Sequence, residues 1–359
     1  MAPSKLRRTE LIREAANPLI TPDKVSASNP AYRVRGVFNP GAAMVPGVDG
    51  DEIVLLLRVA EDVPADDGRV AVPVMRLDGE VGVPDVIEVG VDDAGVELRD
   101  TRGVVIDGRE YLSTMSHLRL ARSSDGVRFT VDDKPFLFPS TMAERFGVED
   151  ARITHIDGRY LVNYTAVSGD GWATALAETT DFSHVDRLGL IFHPQNKDVA
   201  LFPEKIGNRY VALHRPNNAM GRASVWYAES PDLMHWGNHR CLLRPRDTMW
   251  EEQKIGGGAP PVRTADGWLT IYHGKGRDQV YSLWALLLDA DDPAVVLAQG
   301  SVPLLTPEAS YEQEGFFGGV VFTNGMVELN GELLVYYGAS DECVALARTT
   351  VAAVLASLG

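Results

Sequence analysis

Cysteine is almost missing from this sequence. Only Cys241 and Cys343 occur in 359 residues, which is too few for a disulfide framework, and their separation is not that of metal ligands. No two histidines have the spacing of a zinc site. We therefore expect both cysteines to be small buried apolar side chains, in a fold that requires no metal.

Long apolar runs and clusters of basic residues are also missing. No stretch is long enough to span a bilayer, and the charged residues 1–8 are not followed by the apolar segment of a signal peptide. Acidic residues outnumber basic ones by 50 to 34, so the formal net charge is −16. That charge repels nucleic acids and anionic membranes. We expect a cytoplasmic protein whose partners are small molecules, with no nucleic acid and no membrane.

Five copies of one short turn motif run through the chain. In each copy, glycine with aspartate or asparagine precedes an aromatic or aliphatic strand, which is typical of a tight hairpin. The copies begin at Asp107, Asp157, Gly207, Asp266 and Asn330. Their spacing of roughly 50 to 65 residues is the size of one four-stranded propeller blade. A further turn at residues 49–51 leaves the number of repeats at five or six.

No linker or low-complexity stretch divides the chain. Its 45% apolar residues can bury a substantial core, and its 34 glycines and 21 prolines are spread along the whole length, as many tight turns require. We therefore expect residues 1–359 to form a single all-β propeller domain. Helical periodicity is confined to residues 6–16, inside an N-terminal extension of residues 1–30, and to residues 349–358 of a C-terminal segment that ends at 359.

Clustered polar residues interrupt the repeats at three places. Residues 147–153 put adjacent carboxylates next to an arginine, which can tune an acid for proton donation or form a plain surface ion pair. Arg215, Lys254 and His273 stand at equivalent positions of successive repeats, so they can converge on one anion. The histidine can equally be a satisfied core residue. Glycines 256–258 do not match a phosphate loop, because the lysine precedes them, and no nucleophile elbow occurs.

Nine short motifs follow one another along nearly the whole chain. They are Phe38-Asn39-Pro40-Gly41-Ala42, Leu55-Leu56-Leu57-Arg58-Val59-Ala60-Glu61, Ser116-His117-Leu118-Arg119-Leu120-Ala121-Arg122-Ser123, Glu149-Asp150-Ala151-Arg152, Asn196-Lys197-Asp198, Leu213-His214-Arg215-Pro216, Lys254-Ile255-Gly256-Gly257-Gly258, Tyr272-His273-Gly274 and Tyr336-Tyr337-Gly338-Ala339-Ser340-Asp341. In this order they closely resemble glycoside hydrolase family 130, the β-mannoside phosphorylases and related β-mannosidases. The resemblance implies a five-bladed propeller, and it resolves the repeat count.

The resemblance also implies a role for eleven residues. The family's general acid falls on Asp150. Its phosphate ligands fall on Asn196, Arg215, Lys254, His273 and Tyr281. Its sugar-binding positions fall on Asn39, Arg58, Arg152, Asp198 and Asp341. The implied reaction is inverting attack of inorganic phosphate on a β-mannoside to give α-mannose 1-phosphate, with phosphate as co-substrate and no metal or organic cofactor.

Two positions depart from the family pattern. Gln195 stands where the phosphorylases often have an arginine, which removes one positive charge from the expected phosphate site, and Ala151 stands where proline is usual. A β-mannosidase that uses water is therefore the second hypothesis, and it needs a base such as Glu251, Glu252 or Glu314. A non-catalytic sugar-binding propeller is the third. The retained cationic residues favour phosphorolysis.

Residues 63–114 form a long stretch where many family members pass almost directly from one motif to the next. We expect this stretch to extend the first blade. Together with the motifs at 56–61 and 116–121, it resembles the branch that acts on β-1,2-mannobiose and β-1,2-oligomannan. Substrates with β-1,4-mannosyl-glucose or β-1,4-mannosyl-N-acetylglucosamine remain alternatives, because variable loops form acceptor pockets. The terminal helical segments and the resemblance imply a homo-oligomer.

Overall fold

β-Strands make up almost all of the regular structure. The computed structural model describes residues 11–47, 50–79, 81–99, 102–217 and 220–358. In chain order the strands are β1 (Ile12–Arg13), β2 (Arg33–Gly47), β3 (Gly50–Asp62), β4 (Arg69–Asp78), β5 (Val81–Gly90), β6 (Val96–Leu98), β7 (Gly103–Ile106), β8 (Arg109–Leu112), β9 (Met115–Ser123), β10 (Thr130–Val131), β11 (Gly147–Ile156), β12 (Arg159–Ser168), β13 (Gly171–Thr179), β14 (Asp186–Phe192), β15 (Asn196–Leu201), β16 (Tyr210–Pro216), β17 (Val225–Ser230), β18 (Gly237–Leu243), β19 (Lys254–Gly257), β20 (Val262–Thr264), β21 (Gly267–Lys275), β22 (Tyr281–Leu288), β23 (Val296–Gln299), β24 (Val321–Leu329), β25 (Glu332–Ala339) and β26 (Cys343–Thr349). The helices are α1 (Ser310–Gln313) and α2 (Val351–Ala356), with 3-10 turns at Pro22–Lys24 and Met142–Glu144. The all-β class predicted from the sequence is confirmed, and no helix in the described ranges is long and apolar enough to cross a membrane.

Most of the strands fall into antiparallel groups of four that follow one another along the chain. In the described part of the chain the groups are β2-β3-β9-β10, β11-β12-β13-β14, β15-β16-β17-β18, β19-β21-β22-β23 and β24-β25-β26-β1. The first and second groups are joined by a parallel pairing of Ser116 with Gly147. Successive residues of a strand face opposite sides of its sheet. Leu161 and Val162 of β12 accordingly lie in two different apolar clusters.

Apolar clusters join each group to the next. They connect the first group with the second, the second with the third, the third with the fourth and the fourth with the fifth. A further cluster connects the fifth group with the first. On β25, Leu333 and Val335 face the fourth group, whereas Leu334 and Tyr336 face the first. Both faces of each group are therefore buried, and the last group packs against the first.

The predicted N-terminal helix is wrong where the structure describes it, from residue 11 onward; residues 6–10 lie outside the described residues. Ile12 and Arg13 form β1, which pairs with the edge strand β26. Arg13 also donates two hydrogen bonds of 2.8 Å to the fully buried carboxylate of Glu312. A short isolated helix is marginal in water, whereas an unpaired sheet edge offers a full row of hydrogen-bonding groups. Strand pairing therefore prevails here.

The predicted C-terminal helix is present as α2. Thr350 caps its N-terminus, because the side-chain Oγ1 accepts a hydrogen bond of 3.1 Å from the backbone N–H of Ala353. Val354 is fully buried against the fourth and fifth groups. The helix thus covers one end of the core.

The two cysteines differ in burial. Cys343 is buried as expected, whereas Cys241 on β18 is only partly buried. Within the described ranges, no cluster of histidine, cysteine, aspartate and glutamate has the composition of a metal site.

The turn motif that begins at Asp107 does not belong to any of the groups of four. It joins β7 to β8 in the separate sheet β6-β7-β8. This sheet and the hairpin β4-β5 come between β3 and β9 in the sequence. Asp107 and Gly108 have φ angles of 51° and 76°, as a tight hairpin of this kind requires. Turn chemistry predicts a hairpin but not the sheet that it joins. Residues 63–114 therefore form two small sheets of their own instead of an extended first blade.

Candidate active site

One irregularity recurs in the first strand of several groups. The pairing register shifts between Phe38 and Gly41 in β2, between Glu149 and Arg152 in β11, between Lys197 and Ala200 in β15, and between Thr323 and Gly325 in β24. A bulge of this kind re-aims a side chain away from the regular ladder. It puts Asn39, Asp150 and Asp198 at φ angles of 47°, 51° and 55°. Asparagine and aspartate tolerate this left-handed region better than most residues do.

A cavity of about 690 Å³ collects these bulged residues. Nine of the eleven predicted site residues line it: Asn39, Arg58, Asp150, Asp198, Arg215, Lys254, His273, Tyr281 and Asp341. Arg152 and Asn196 do not line it. Residues as far apart in the sequence as Asn39 and Asp341 therefore meet in one space.

Asp150 is held as a carboxylate by its neighbours. Its Oδ1 accepts hydrogen bonds from Nδ2 of Asn39 at 2.9 Å and from Nη1 of Arg58 at 3.1 Å. Nζ of Lys197 lies 3.9 Å from Oδ2. Burial raises the pKa of Asp150, but Arg58, Lys197 and Asn39 outweigh burial and bring the pKa below its ordinary value.

Asp341 behaves in the opposite way. Burial raises its pKa to about 6, with a contribution from the negative charge of Asp150, while Arg58 opposes the rise. Arg58 is itself bound by Glu149 at 2.8 Å as well as by Asp150. This part of the cavity thus contains three carboxyl groups around one guanidinium, and the Asp341 carboxyl takes up a proton in weak acid.

Asp198 is an anchor for cationic side chains. Nε of Arg215 lies 2.7 Å from its Oδ2, and Nε2 of His273 lies 3.4 Å from the same oxygen. Although burial raises the pKa of Asp198, these neighbours hold it well below its ordinary value. A methyl group on Gly256 would collide with this carboxylate and with the His273 ring. The absence of a side chain at Gly256 therefore lets the backbone of β19 lie directly against Asp198 and His273.

His273 contributes a hydrogen-bonding group instead of a positive charge. Burial lowers its pKa to about 4, although Asp198 opposes the decrease. The imidazole is therefore neutral at pH 7. The centroid of its ring lies 4.4 Å from the centroid of the Phe322 ring. In the free cavity His273 is thus a neutral partner of Asp198 and not a third cation beside Arg215 and Lys254.

Two lysines concentrate positive charge around the ring of Tyr281. Lys254 and Lys275 are direct partners across β19 and β21, and the Nζ of each lies 5.4 Å from the ring centroid of Tyr281. Burial and the charges of Arg215, Lys197 and Lys275 lower the pKa of Lys254 well below its ordinary value. Like charges directly opposite each other destabilise a sheet. An anion bound between them would relieve that repulsion.

Two lysines of the cavity, Lys197 and Lys275, were not predicted from the sequence. Lys275 follows His273 by two positions on β21, so strand alternation alone places both side chains on the same face. Lys197 is the direct cross-strand partner of Arg215, and partners of this kind lie on the same face of a sheet. Lys275 was therefore predictable from the periodicity, whereas Lys197 depends on the pairing of β15 with β16.

Arg152 and Asn196 act outside the cavity. The guanidinium of Arg152 is buried and donates hydrogen bonds to the backbone carbonyls of Asp150, Gly257 and Gly258 at 3.0, 2.9 and 3.1 Å. Nδ2 of Asn196 donates to Nδ1 of His214 at 2.9 Å. Arg152 thus ties the Asp150 bulge to the glycine run on β19.

The three glutamates considered as hydrolytic bases also lie away from the cavity lining. Glu251 is fully buried, pairs with Arg246 and accepts a hydrogen bond of 2.9 Å from the Tyr272 hydroxyl. Glu252 pairs with Arg277. Glu314 is exposed at the end of α1. None of the three therefore lines the cavity together with Asn39, Asp150 and Asp198.

Comparisons with known proteins agree with this geometry. A family model described as β-1,4-mannooligosaccharide phosphorylase, that of glycoside hydrolase family 130, matches residues 90–358. The chain is 41% identical over 341 residues to the β-1,2-mannobiose phosphorylase of Listeria innocua, covering 93% of this chain and 94% of that protein. It is 39% identical over 241 residues to the 1,2-β-oligomannan phosphorylase of a Thermoanaerobacter species, covering 66% of this chain and 80% of that protein.

The similarity extends to three dimensions. The solved structure of the Listeria innocua β-1,2-mannobiose phosphorylase in complex with β-1,2-mannobiose superposes with a TM-score of 0.91, covering 97% of this chain and 98% of that one. The order of motifs, the family model and the relatives thus converge. The chain belongs to glycoside hydrolase family 130.

Proposed function

We propose that this protein is an inverting β-mannoside phosphorylase, which transfers mannose from β-1,2-mannobiose or a β-1,2-oligomannan to inorganic phosphate and releases α-mannose 1-phosphate. The composition of the cavity lining carries the proposal. Asp150 accepts hydrogen bonds from Asn39 and Arg58, and the basic side chains of Arg215 and Lys254 line the same cavity. Such a cavity offers an acid to the leaving sugar and a binding site to an anionic nucleophile.

The cationic part suits phosphate as the attacking group. The guanidinium fork of Arg215 can donate to two phosphate oxygens, and the lysines act as point charges. A phosphate oxygen forms a bond to C1 of mannose on the face opposite the leaving oxygen. The glycosidic bond breaks as the leaving oxygen gains a proton, so the β-linkage becomes an α-phosphate. We assign phosphate binding to Arg215, Lys254, His273 and Tyr281, and we assign Asn196, which does not line the cavity, to the support of His214 behind them.

Asp150 is the proposed source of the proton. In the free cavity Lys197 and Arg58 favour its carboxylate. A phosphate dianion near Lys197 compensates that positive charge, and the pKa of Asp150 then rises toward a value at which it can donate. Asn39, Arg58 and Asp341 are the proposed contacts of the transferred mannose. Arg152 is proposed to hold the backbone at Asp150 in position, and Asp198 to hold the side chain of Arg215.

Hydrolysis is the less favoured alternative. An inverting hydrolase requires a base that activates water on the face opposite the leaving group. The cavity carboxylate nearest to the cations, Asp198, is already engaged by Arg215 and His273. Glu251, Glu252 and Glu314 lie outside the lining. Phosphate needs no such base, because it already carries negative charge.

The β-1,2 linkage is proposed from the relatives. The protein that shares 41% identity over nearly the whole chain is named for β-1,2-mannobiose, and another is named for 1,2-β-oligomannan. A relative named for β-1,4-mannooligosaccharides is 32% identical over 64% of this chain. The greater identity and coverage favour the β-1,2 linkage.

We infer a five-bladed propeller from the groups of four strands and from the apolar clusters that join each group to the next, including the last to the first. The bulged first strands would then surround the central cavity. A single domain, a homo-oligomeric assembly and a cytoplasmic location stay predictions from the sequence.

Incubation of the purified protein with β-1,2-mannobiose, with and without inorganic phosphate, tests the function. We expect NMR to detect α-mannose 1-phosphate only when phosphate is present. Free mannose at equal rates in both samples would identify a hydrolase. The Asp150→Asn variant should lose turnover while still unfolding cooperatively, and an active Asp150→Asn variant would remove Asp150 from the mechanism.

A further inference from the structure

Glu149 is a buried carboxylate that lines the cavity without a role in the proposed reaction. It directly precedes Asp150, and successive residues of a regular strand face opposite sides of the sheet. The register of β11 shifts between Glu149 and Arg152, and Asp150 has a φ angle of 51°. The bulge therefore lets two neighbouring carboxylates reach the same side chain, Arg58.

Three hydrogen bonds and one aromatic ring fix the guanidinium of Arg58. Its Nε donates to Oγ of Ser116 at 3.0 Å, its Nη1 to Oδ1 of Asp150 at 3.1 Å, and its Nη2 to Oε1 of Glu149 at 2.8 Å. The guanidinium carbon lies 4.6 Å from the ring centroid of Phe38. Each nitrogen thus has a different partner, and stacking restricts the plane of the group.

This arrangement differs from the usual pairing of an arginine with one carboxylate. A guanidinium and a carboxylate frequently form two parallel N–H···O bonds. Asp150 receives only one bond from Arg58, at Oδ1, because Nη2 is engaged by Glu149. Within the described ranges, Oδ2 of Asp150 accepts no hydrogen bond, and Nζ of Lys197 lies 3.9 Å from it. Oδ2 is therefore the oxygen of Asp150 that can take up a proton.

The charge of Glu149 is felt across this group of side chains. It acts on Arg58 together with the charge of Asp150, and it also acts on Asp341. Without Glu149, the positive charge of Arg58 would be compensated less and would act more strongly on Asp150. The charged groups around Asp150 come from several elements: Arg58 on β3, Lys197 on β15, Glu149 and Arg152 on β11, and Asp341 after β25.

We propose that Glu149 is a positioning residue for the general acid: it engages Nη2 of Arg58 and so keeps Asp150 able to bind and donate a proton. This inference rests on the proposed phosphorylase function. With Nη2 engaged, Arg58 orients Asp150 through Oδ1 without binding both of its oxygens. An Asp150 carboxylate bound at both oxygens would take up a proton less readily, since hydrogen bonds to the charged form favour that form.

Glu149→Gln tests this role, because it keeps the side-chain oxygen and removes the charge. The positive charge of Arg58 then favours the Asp150 carboxylate more strongly, so the pKa of Asp150 falls and less of the protein carries the proton at neutral pH. At saturating phosphate, the pH dependence of kcat/KM for β-1,2-mannobiose reports the groups of the phosphate-bound protein.

The expected result is a loss that depends on pH. We expect kcat/KM for Glu149→Gln to be roughly 10-fold below that of the parent at pH 7.5, which corresponds to about one pKa unit. The difference should narrow as the pH falls toward 5, where Asp150 carries its proton in both proteins. The KM for phosphate should stay close to the parental value, because Arg215 and Lys254 are unchanged.

Glu178→Gln is the matched control. It also removes a carboxylate from an arginine, Arg159, at a position that does not line the cavity. We expect it to have the pH profile of the parent. Glu149→Asp keeps the charge on a shorter side chain, so its loss at pH 7.5 should be smaller than that of Glu149→Gln.

Three results would overturn the inference. They are an unchanged profile in Glu149→Gln, a loss of equal size at every pH, which a merely structural role would give, and a larger loss in acid than at pH 7.5. The unfolding temperature of each variant is measured alongside. If Glu149→Gln does not fold, Glu149→Asp has to show the same kind of pH-dependent loss for the inference to stand. Failure of the proposed function has a different signature, because the parent protein would then form no α-mannose 1-phosphate at any pH.

Discussion

Replacing Asp341 by asparagine measures the cost of placing one more carboxylate beside Glu149 and Asp150 in the cavity. Burial raises the pKa of this carboxyl from 3.8 to about 6, and Asp150 adds to the rise. Between these pH values the native protein binds more protons at Asp341 than the unfolded chain does. By linkage, the contribution of Asp341 to the free energy of unfolding decreases as the pH rises through this window.

The expected magnitude follows from the size of this shift. A shift of about two pKa units corresponds to about 3 kcal/mol. Asp341 is partly open to the cavity, where solvent screens its charge, so we expect about 1–3 kcal/mol. Asp341→Asn should therefore be more stable than the parent by this amount at pH 7.5, and the difference should nearly vanish at pH 4. Turnover should fall at the same time, because a proposed sugar contact is lost.

Urea unfolding followed by tryptophan fluorescence at pH 4, 6 and 7.5 provides the assay. Asp66→Asn is a suitable control, since it removes the same formal charge from an exposed loop outside the cavity lining. A stability difference between Asp341→Asn and the parent that is equal at all three pH values would refute the reasoning. So would a variant that is less stable than the parent at pH 7.5.

Three further tests address the cationic part of the cavity. Arg215→Ala leaves the carboxylate of Asp198 without its shortest ion pair, so we expect the KM for phosphate to rise about 10-fold or more and the free energy of unfolding to fall by about 3 kcal/mol; equal rises in the KM for sugar and phosphate would contradict a specific role. Gly256→Ala puts a methyl group against Asp198 and His273, so phosphate binding should weaken more than sugar binding, and unchanged kinetics would rule out the close contact. Inorganic phosphate at 100 times its Kd should raise the unfolding temperature by an amount equivalent to about 2.7 kcal/mol. The increase should be smaller in Lys254→Ala. An equal increase from chloride at matched ionic strength would indicate a general salt effect.

The parts of the fold that depend on local chemistry were predictable. Pairs such as Asp157-Gly158 and Asn330-Gly331 adopt positive φ angles without help from the rest of the chain, and they do form hairpin turns. The site motifs also contain their own bulge-forming residues. Asp150 needs only its short motif to be recognised, and the structure brings it to the cavity with the other lining residues.

The parts that depend on distant partners were not predictable. The strand β1 exists because β26 offers an edge, and nothing near Ile12 in the sequence reveals that edge. The contact between Arg102 and Phe317 has the same origin, since it forms only after the small sheet β6-β7-β8 and the loop after α1 have come together. Lys197 reaches the cavity because β15 pairs with β16, which puts it directly opposite Arg215. In each case the deciding contact joins segments whose own sequences carry no sign of it.

Strand β1 also has a consequence for the order of folding. Glu14, just beyond β1, binds Arg348 on β26 across 334 residues of sequence. The early strand therefore has no partner until the last strand has been synthesised. During that time the newly made N-terminal segment must remain unpaired, while the other groups can already assemble. Completion of the fifth group is thus a late event in biogenesis, and it joins the two ends of the chain in one sheet.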